Sequence, residues 1–198
     1  MKEISDIMAE NRDHLIEMDS IVGDGDLGLT MGDGFKAAYE KVADGSVTDA
    51  GKLLYQAGKA MASAVPSTMG TLMASGLMQA GKVLKGTEML ENADVAKLFE
   101  AYEAGVANRG KAKVGEKTFI DGIHPAVESL NAAAASGAPL EEMAAGAVKA
   151  AEDGFKNTTT MLAVHGRAAT RGEASRSLED PGAYVAVLIM KAFEKSTK

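Results

Sequence analysis

Three aspartates and three glycines stand close together between Asp19 and Gly28, in the run Asp-Ser-Ile-Val-Gly-Asp-Gly-Asp-Leu-Gly. Asp19, Asp24 and Asp26 place three carboxylates within eight residues, and the glycines allow the backbone to turn tightly around them. Carboxylates held this close repel one another unless a cation lies among them. Hard divalent ions, Mg²⁺ above all, prefer oxygen ligands and keep positions open for phosphate oxygens. The cluster therefore predicts a metal site that holds the phosphates of a nucleotide.

Two better-known motifs overlap this stretch, and both are rejected. Its glycines spell the dinucleotide fingerprint Gly-x-Gly-x-x-Gly, but that motif presents bare backbone N–H groups to a pyrophosphate, which the carboxylates of Asp24 and Asp26 would repel. An EF-hand beginning at Asp24 fails because its sixth position is Leu29 rather than glycine and its twelfth is Phe35 rather than glutamate. An acidic, glycine-rich surface turn remains the alternative interpretation.

A second candidate for phosphate contact is the run Pro-Ser-Thr-Met-Gly-Thr, residues 66–71, which lies between two helical patterns. Ser67 or Thr68 can cap the second helix, and the free N–H groups at a helix start, here near Gly70, attract phosphate. Met31 and Met69 lie close enough in sequence to these candidates to line an adenine pocket, whereas the other methionines are expected to fill the core. An ordinary helix cap is the alternative.

The basic run from Arg109 to Thr118 looks like a broken P-loop. The spacing of Gly110 and Gly115 matches that motif, but a glutamate separates the second glycine from the lysine, and a helix rather than a strand precedes the run. We interpret it as a basic loop that enters a helix at Thr118 and contacts an anionic ligand. A solvated run of charges is the alternative.

Two further stretches near the C-terminus have residue types that bind phosphate. Arg167 follows a glycine, so its planar donor groups can approach a phosphate closely. Asp180, Pro181 and Gly182 form a rigid turn at a helix start whose N–H groups can meet a nucleotide. A surface arginine and a plain helix cap are the alternatives. The histidines share no metal-binding spacing and are interpreted as surface or capping residues: His14, His124 and His165.

Composition and charge narrow the class of protein. The net charge is −7 and no long run of Lys or Arg occurs, which argues against nucleic acid and membrane surfaces as partners. The absence of cysteine excludes disulfides, thiolate catalysis and cysteine zinc sites. The first residues are too charged for a signal peptide, and no apolar stretch reaches the ~20 residues of a membrane helix. We therefore expect a cytoplasmic protein.

The candidate residues must be positioned by helices. Alanine, methionine and leucine dominate the apolar residues and aromatic residues make up only 5%, which favours helix over sheet. Helical spacing of apolar residues recurs over residues 50–65, 95–106, 120–134 and 140–161, and a helix over 184–190 follows the cap at Asp180. With short turns between segments, we expect an all-α, single-domain antiparallel bundle or barrel of about eight helices that spans residues 1–198.

The aspartate cluster, the basic run, Gly166-Arg167-Ala168 and Asp180-Pro181-Gly182 occur in this order, and together they resemble the nucleotide-binding L subunit of dihydroxyacetone kinase, the DhaL family. The resemblance covers nearly the whole chain and implies an eight-helix barrel with ADP or ATP and two Mg²⁺ at one end. It implies metal ligation by Asp19, Asp24 and Asp26. The nucleotide contacts that it implies, together with those suggested by the neighbouring motif residues, are Leu27, Gly28, Thr30, Met31, Ser67, Thr68, Gly70, Gly115, Thr118, Arg167, Asp180, Pro181 and Gly182.

The chain departs from the family pattern at three places in or beside these motifs. Leu27 stands where family members often have histidine, and Thr30 stands where they often have asparagine. A shorter run over residues 64–71 replaces the usual glycine-rich phosphate loop. Leu27 therefore predicts an apolar contact beside the metal ligands.

The function that the resemblance implies is one subunit of a kinase for dihydroxyacetone or a related small ketose. A separate DhaK-like subunit would hold the ketose, and the phosphoryl donor would be either ATP or a phosphohistidine protein of the phosphotransferase system (DhaM-like). Arg167 and the three aspartates would then act on the phosphates during transfer. The resemblance also allows a homodimer. The alternative function is a nucleotide-state sensor that contacts a transcriptional regulator.

Overall fold

The computed structural model describes residues 1–198 as helices joined by short connections, and it contains no β-strand. Nine α-helices and two 3₁₀ segments follow one another along the chain. The α-helices are α1 Lys2–Glu10, α2 Arg12–Val22, α3 Leu27–Val42, α4 Ala50–Ala64, α5 Thr68–Val83, α6 Asn92–Gly110, α7 Phe119–Ala135, α8 Leu140–Asn157 and α9 Pro181–Ser196. The 3₁₀ segments are Thr158–Thr160 and Ala168–Ser175. The prediction of an all-α fold is confirmed.

The structure has one α-helix more than the expected eight because the N-terminal helix is broken at Asn11. The Asn11 side chain donates a hydrogen bond to the Ile7 carbonyl at 2.8 Å, which is the local side-chain bonding that competes with helix continuation. The predicted helix over residues 140–161 also ends early, at Asn157. Three successive threonine hydroxyls donate to carbonyls three residues back, at 2.6 to 2.8 Å, and the backbone tightens there into a 3₁₀ turn.

The helices pack in chain order and close into a ring. From α3 to α9 each helix packs against the next, while α9 packs on α1 and α1 packs on α3. Because neighbours are antiparallel, α3, α5, α7 and α9 all begin at the same end of the ring, where α2, α4, α6 and α8 end. This one end therefore collects every stretch that the sequence singled out as a candidate for chemistry.

Side chains of modest size fill the core of the ring. Met8, Met31, Met61, Met73, Met143 and Met190 have no exposed surface, in keeping with the use of flexible thioethers to fill irregular space. On α4, within the predicted apolar range 50–65, Leu54, Ala57 and Met61 are buried, whereas Ala64 is exposed where the helix ends. None of the helices has the length and apolar character needed to cross a membrane.

Gly28 is required where α3 crosses the start of α2. A Cβ atom at this position would lie 2.1 Å from the Arg12 carbonyl oxygen, which is too close for any real contact. We therefore expect Gly28→Ala to lower the free energy of unfolding by about 2–3 kcal/mol through overpacking. Gly32, in the same helix, has open space where its Cβ would lie. Gly32→Ala should instead stabilise the protein by roughly 0.5–1 kcal/mol, since alanine favours helix.

Urea unfolding of the two variants measures this difference directly. Equal stability of the Gly28→Ala and Gly32→Ala proteins would contradict the close packing of α2 on α3.

Candidate functional site

A cavity of about 450 Å³ opens at the end of the ring where α3, α5, α7 and α9 begin. Both polar and apolar residues line it. The polar side chains at its wall are Asp19, Asp24, Asp26, Ser67, Thr68, Lys117, Thr118, His165, Arg167 and Asp180. The apolar side chains are Val22, Leu27, Met69, Leu72, Val106, Ala112, Phe119, Ile120, Ala168 and Pro181. Gly23, Gly110, Gly166 and Gly182 complete the lining.

Four helix N-termini point their free N–H groups towards this cavity. Ser67 caps α5 by accepting from the Gly70 N–H at 3.0 Å, and Thr118 caps α7 by accepting from the Ile120 N–H at 3.2 Å. Asp180 caps α9 through the Ala183 N–H at 2.7 Å. Asp26 stands before α3 without a side-chain capping bond. Each N-terminus carries a partial positive charge of roughly half an elementary charge, so four of them favour an anion.

The three aspartates of the cluster meet at the same place. One carboxylate oxygen from each of Asp19, Asp24 and Asp26 lies within 4.8 Å of the other two. Asp19 lies in the last turn of α2 and accepts a hydrogen bond from the Leu27 N–H at 3.3 Å, while the turn between the helices passes through Gly25 with φ of +75°. Burial raises the pKa of Asp19, the neighbouring carboxylates add to this, and the Leu27 N–H opposes it. The potential ligands are all carboxylate oxygens, and their negative charges repel one another. Such a set fits a hard divalent cation such as Mg²⁺.

Arg167 reaches across the cavity mouth to this cluster. Its Nη2 atom lies 2.7 Å from Asp24 Oδ2, and 69% of the arginine side chain and 41% of the aspartate side chain are exposed. Exposed ion pairs of this kind contribute at most about 1 kcal/mol, because water screens both charges. Asp24 can therefore exchange this partner for a cation at little cost, which leaves Arg167 free for a phosphate.

Most of the apolar lining of the cavity, here called the apolar wall, comes from the ends of α2 and α6 and from the first turns of α3, α5 and α7. Met69, Leu72, Val106 and Phe119 contribute to it. Such a surface suits the flat ring of a nucleotide base, and the expected position of Met69 on it agrees with the structure. Leu27 is 4% exposed beside the aspartates, and the only contact that its side chain can offer there is an apolar one.

Most residues predicted from the sequence line the cavity, and five do not. The five that lie elsewhere are Gly28, Thr30, Met31, Gly70 and Gly115. Gly28 is buried between helices, and Met31 has no exposed surface, so the adenine contact expected of Met31 is not available from its core position. Gly70 contributes its N–H to the Ser67 cap, and the Gly115 N–H donates to Asp121 Oδ1 at 2.5 Å. These glycines shape the backbone around the cavity.

Lys117, in the basic run 109–118, bonds the protein's own carbonyls, whereas the sequence predicted that this run contacts an anionic ligand. Lys117 belongs to the cavity lining but is only 2% exposed, and its ammonium donates to backbone carbonyls of Thr158 and Leu178. His165, interpreted from the sequence as a surface or capping residue, lines the cavity and pairs with Glu116, with 2.6 Å between Nε2 and Oε2. Its position depends on the fold of residues 158–180, for which the sequence gives no periodic signal.

Asp180 is the buried carboxyl of the site. Burial raises its pKa from the ordinary value of 3.8 to about 7, although the Ala183 N–H and Lys117 oppose this. Between these two values the folded protein holds a proton that the unfolded chain has released. The free energy of unfolding should therefore fall as the pH rises from about 4 to 7, by roughly 2–4 kcal/mol from this group.

Asp180→Asn keeps the cap and removes the charge, so its free energy of unfolding should depend less on pH across this window. Urea unfolding between pH 4.5 and 7.5 measures the two slopes. Asp49, which caps α4, is the matched control because its pKa is lowered, chiefly by the Lys52 N–H. Asp49→Asn should leave the slope above pH 5 unchanged. If the free energy of unfolding of Asp180→Asn depends on pH as that of wild type does, the raised pKa of Asp180 is contradicted.

Comparisons with known proteins agree with this arrangement. A profile of the DAK2 domain family matches residues 21–195. The ADP-binding subunit DhaL of the PEP-dependent dihydroxyacetone kinase of Escherichia coli is 31% identical over 193 residues, which cover 98% of this chain and 92% of that protein. An L-erythrulose 1-kinase from Mycolicibacterium smegmatis is also 31% identical, but this chain spans only 34% of it.

The fold is also that of a solved structure. The dihydroxyacetone kinase of C. freundii, crystallised in complex with AMP-PNP and Mg²⁺, superposes with a TM-score of 0.76 at 22% identity. The match covers 98% of this chain and 32% of that one. With the family profile and a 31% identical relative matched over nearly its full length, the chain belongs to the DAK2 domain family and, within it, to the DhaL-type proteins.

Proposed function

We propose that this protein is the nucleotide- and Mg²⁺-binding subunit of a multi-component kinase for dihydroxyacetone or a related small ketose. In this role it presents a phosphoryl group to a substrate that a separate subunit holds. The names of its relatives support this, since they include ADP-binding kinase subunits and an L-erythrulose kinase. The nucleotide is ADP or ATP, with Mg²⁺.

The observation that carries the proposal is the meeting of two opposite electrostatic features in one cavity. Four helix N-termini and Arg167 favour an anion, whereas three carboxylates within 4.8 Å favour a cation. A phosphate chain with a bound divalent ion satisfies both, because each half of the ligand neutralises one half of the site. A free anion would satisfy only one half of the site, and a neutral free sugar would satisfy neither.

Each residue set then has a distinct role. Asp19, Asp24 and Asp26 would hold Mg²⁺, which when bound neutralises charge on the phosphates. The N–H groups at the Ser67 and Asp180 caps would orient the phosphates, and Arg167 would stabilise charge that develops during transfer. The apolar wall would hold the base away from water.

The partners follow from what the cavity lacks. No aromatic side chain other than Phe119 lines it, and its histidine is already paired with Glu116, so a sugar has no evident pocket of its own. We assign the ketose to a DhaK-like subunit and the recharging of the nucleotide to a phosphohistidine protein or to exchange with ATP. Such a complex would work in the cytoplasm, where nucleotide and Mg²⁺ are plentiful.

Native mass spectrometry of the purified protein tests the nucleotide assignment and distinguishes the two donors. A retained ADP that survives buffer exchange with Mg²⁺ present, and that leaves when Mg²⁺ is chelated, is the result expected if a phosphohistidine protein recharges it. ATP that exchanges freely points to direct use of ATP. A protein that binds neither nucleotide, at any Mg²⁺ concentration, would overturn the proposal.

A further inference from the structure

Residues 158–180, here called the strap, connect α8 to α9 and pass along the mouth of the cavity. The strap carries His165, Gly166, Arg167 and Ala168 on the cavity wall and ends at the cap Asp180. Few of its residues are buried: Thr158, Ala163, Ser175 and Asp180. An apolar core of its own therefore does not fix the strap, and its polar contacts must do so.

Those polar contacts come from very few residues. Within the strap, residues 161–178 form hydrogen bonds or ion pairs to the rest of the ring only through Asp24, Glu116 and Lys117. The Asp24 contact is the exposed pair with Arg167. The other two residues are adjacent in the chain and immediately precede the Thr118 cap of α7.

Lys117 binds both ends of the strap at once. Its Nζ donates to the carbonyl of Thr158 at the strap's beginning and to the carbonyl of Leu178 at 2.5 Å near its end, with Arg176 O at 3.5 Å. The side chain is 2% exposed, and its backbone has φ of +61°, which is rare for a residue with a side chain. This backbone geometry aims the ammonium at the strap.

Glu116 holds the middle of the strap. Its carbonyl accepts from the Val164 N–H at 3.3 Å, and its carboxylate pairs with His165 and accepts from the Lys113 N–H at 2.8 Å. The capping carboxylate Asp121 fixes the same loop by accepting from the N–H groups of Gly115 and Thr118 at 2.5 and 2.7 Å. The start of α7 is thus rigidly joined to the strap.

We propose that Lys117 is a positioning residue: its buried ammonium ties the strap to the start of α7 and so holds Arg167 at the mouth of the cavity. A lysine that resembles the phosphate-binding lysine of a P-loop therefore acts through the protein's own carbonyls. The proposal deepens the proposed function, because Arg167 is the residue that it positions for a phosphate. Burial lowers the pKa of Lys117, as expected of an ammonium held away from water.

The test uses Lys117→Met, which keeps the length of the side chain and removes its charge and donors, with exposed Lys113→Met in the same loop as the control. The strap contains trypsin sites at Arg167, Arg171 and Arg176. The rate of cleavage at these sites, measured by mass spectrometry in the absence of nucleotide, reports release of the strap. We expect Lys117→Met to be cut there about tenfold faster or more than wild type. Its affinity for ADP with Mg²⁺ should fall about tenfold or more.

Mn²⁺ binding to the aspartate cluster, followed by electron paramagnetic resonance without nucleotide, should change less than about threefold, since Lys117 does not contact the cluster. Strap cleavage and ADP affinity equal to those of Lys113→Met would overturn the proposal. Loss of ADP affinity with an uncut strap would also overturn it, because Lys117 would then act on the ligand directly. If wild type fails to bind ADP, the proposed function is refuted. The cleavage result still tests whether Lys117 holds the strap to the start of α7.

Should Lys117→Met not fold by circular dichroism, Lys117→Arg is used instead, because it keeps the charge but cannot place its donors on the carbonyls of Thr158 and Leu178 in the same way. Faster cleavage of the strap together with a loss of ADP affinity supports the positioning role of Lys117. A shift of ADP affinity alone contradicts it.

Discussion

Asp24→Ala is expected to weaken the binding of ADP in the presence of Mg²⁺ by roughly a hundredfold, the largest effect of any single change that we predict. The variant leaves two carboxylates where three now lie within 4.8 Å, and it removes the anionic partner of Arg167. A hundredfold loss corresponds to about 2.7 kcal/mol, within the range for removing one partner of a close charge pair. Calorimetric titration of ADP at fixed Mg²⁺ measures it.

Two comparisons separate the role of Asp24 from a general loss of negative charge. Asp33 is exposed on α3 and does not line the cavity, so Asp33→Ala should bind ADP as wild type does. Arg167→Met should weaken ADP binding but leave Mn²⁺ affinity unchanged, whereas Asp24→Ala should weaken both. ADP affinity of Asp24→Ala within twofold of wild type would refute the metal assignment.

The second large effect is that this chain alone should not phosphorylate a ketose. Transfer requires the nucleophile and the phosphoryl group to come within about 3–3.5 Å in line. The cavity offers helix N-termini, carboxylates and an apolar wall, but no evident group that would hold a small sugar there. The expected result is turnover at the level of the blank without the ketose-binding subunit, and robust turnover with it.

The assay measures phosphorylation of dihydroxyacetone and of four-carbon ketoses with ATP and Mg²⁺, with and without that subunit. The Asp24→Ala protein together with the subunit is the matched control, because it should form the complex and fail in transfer. Robust turnover by this chain alone would refute the divided site.

The fold could be predicted from the sequence because its signals are local. Apolar spacing identified the helices that became α4, α6, α7 and α8, and Asp180-Pro181 identified the start of α9. The exceptions have local causes that composition does not reveal: a break at Asn11 and a row of threonines that ends α8 at Asn157.

The candidate site was predictable only in part, because a sequence motif identifies residues but does not tell where their side chains point in the fold. The aspartates, Ser67, Thr118, Arg167 and the Asp180 turn come together since antiparallel neighbours place alternate helix starts at one end. The positions of Val106, Gly110, Ala112 and Phe119 in the cavity lining could have been expected from that topology alone. The burial of Lys117 could not have been expected, since it depends on how residues 158–180 fold back over this residue.

Crystals grown with ADP and Mn²⁺ in place of Mg²⁺ provide the most direct test of the proposed site, because the anomalous scattering of manganese locates the ion independently of any model of the ligand. We predict anomalous peaks bonded to the carboxylates of Asp19, Asp24 and Asp26, with the ADP phosphates between these ions and the Ser67 cap and the base against Met69 and Leu72. ADP or Mn²⁺ bound away from these carboxylates would contradict the assignment of the site.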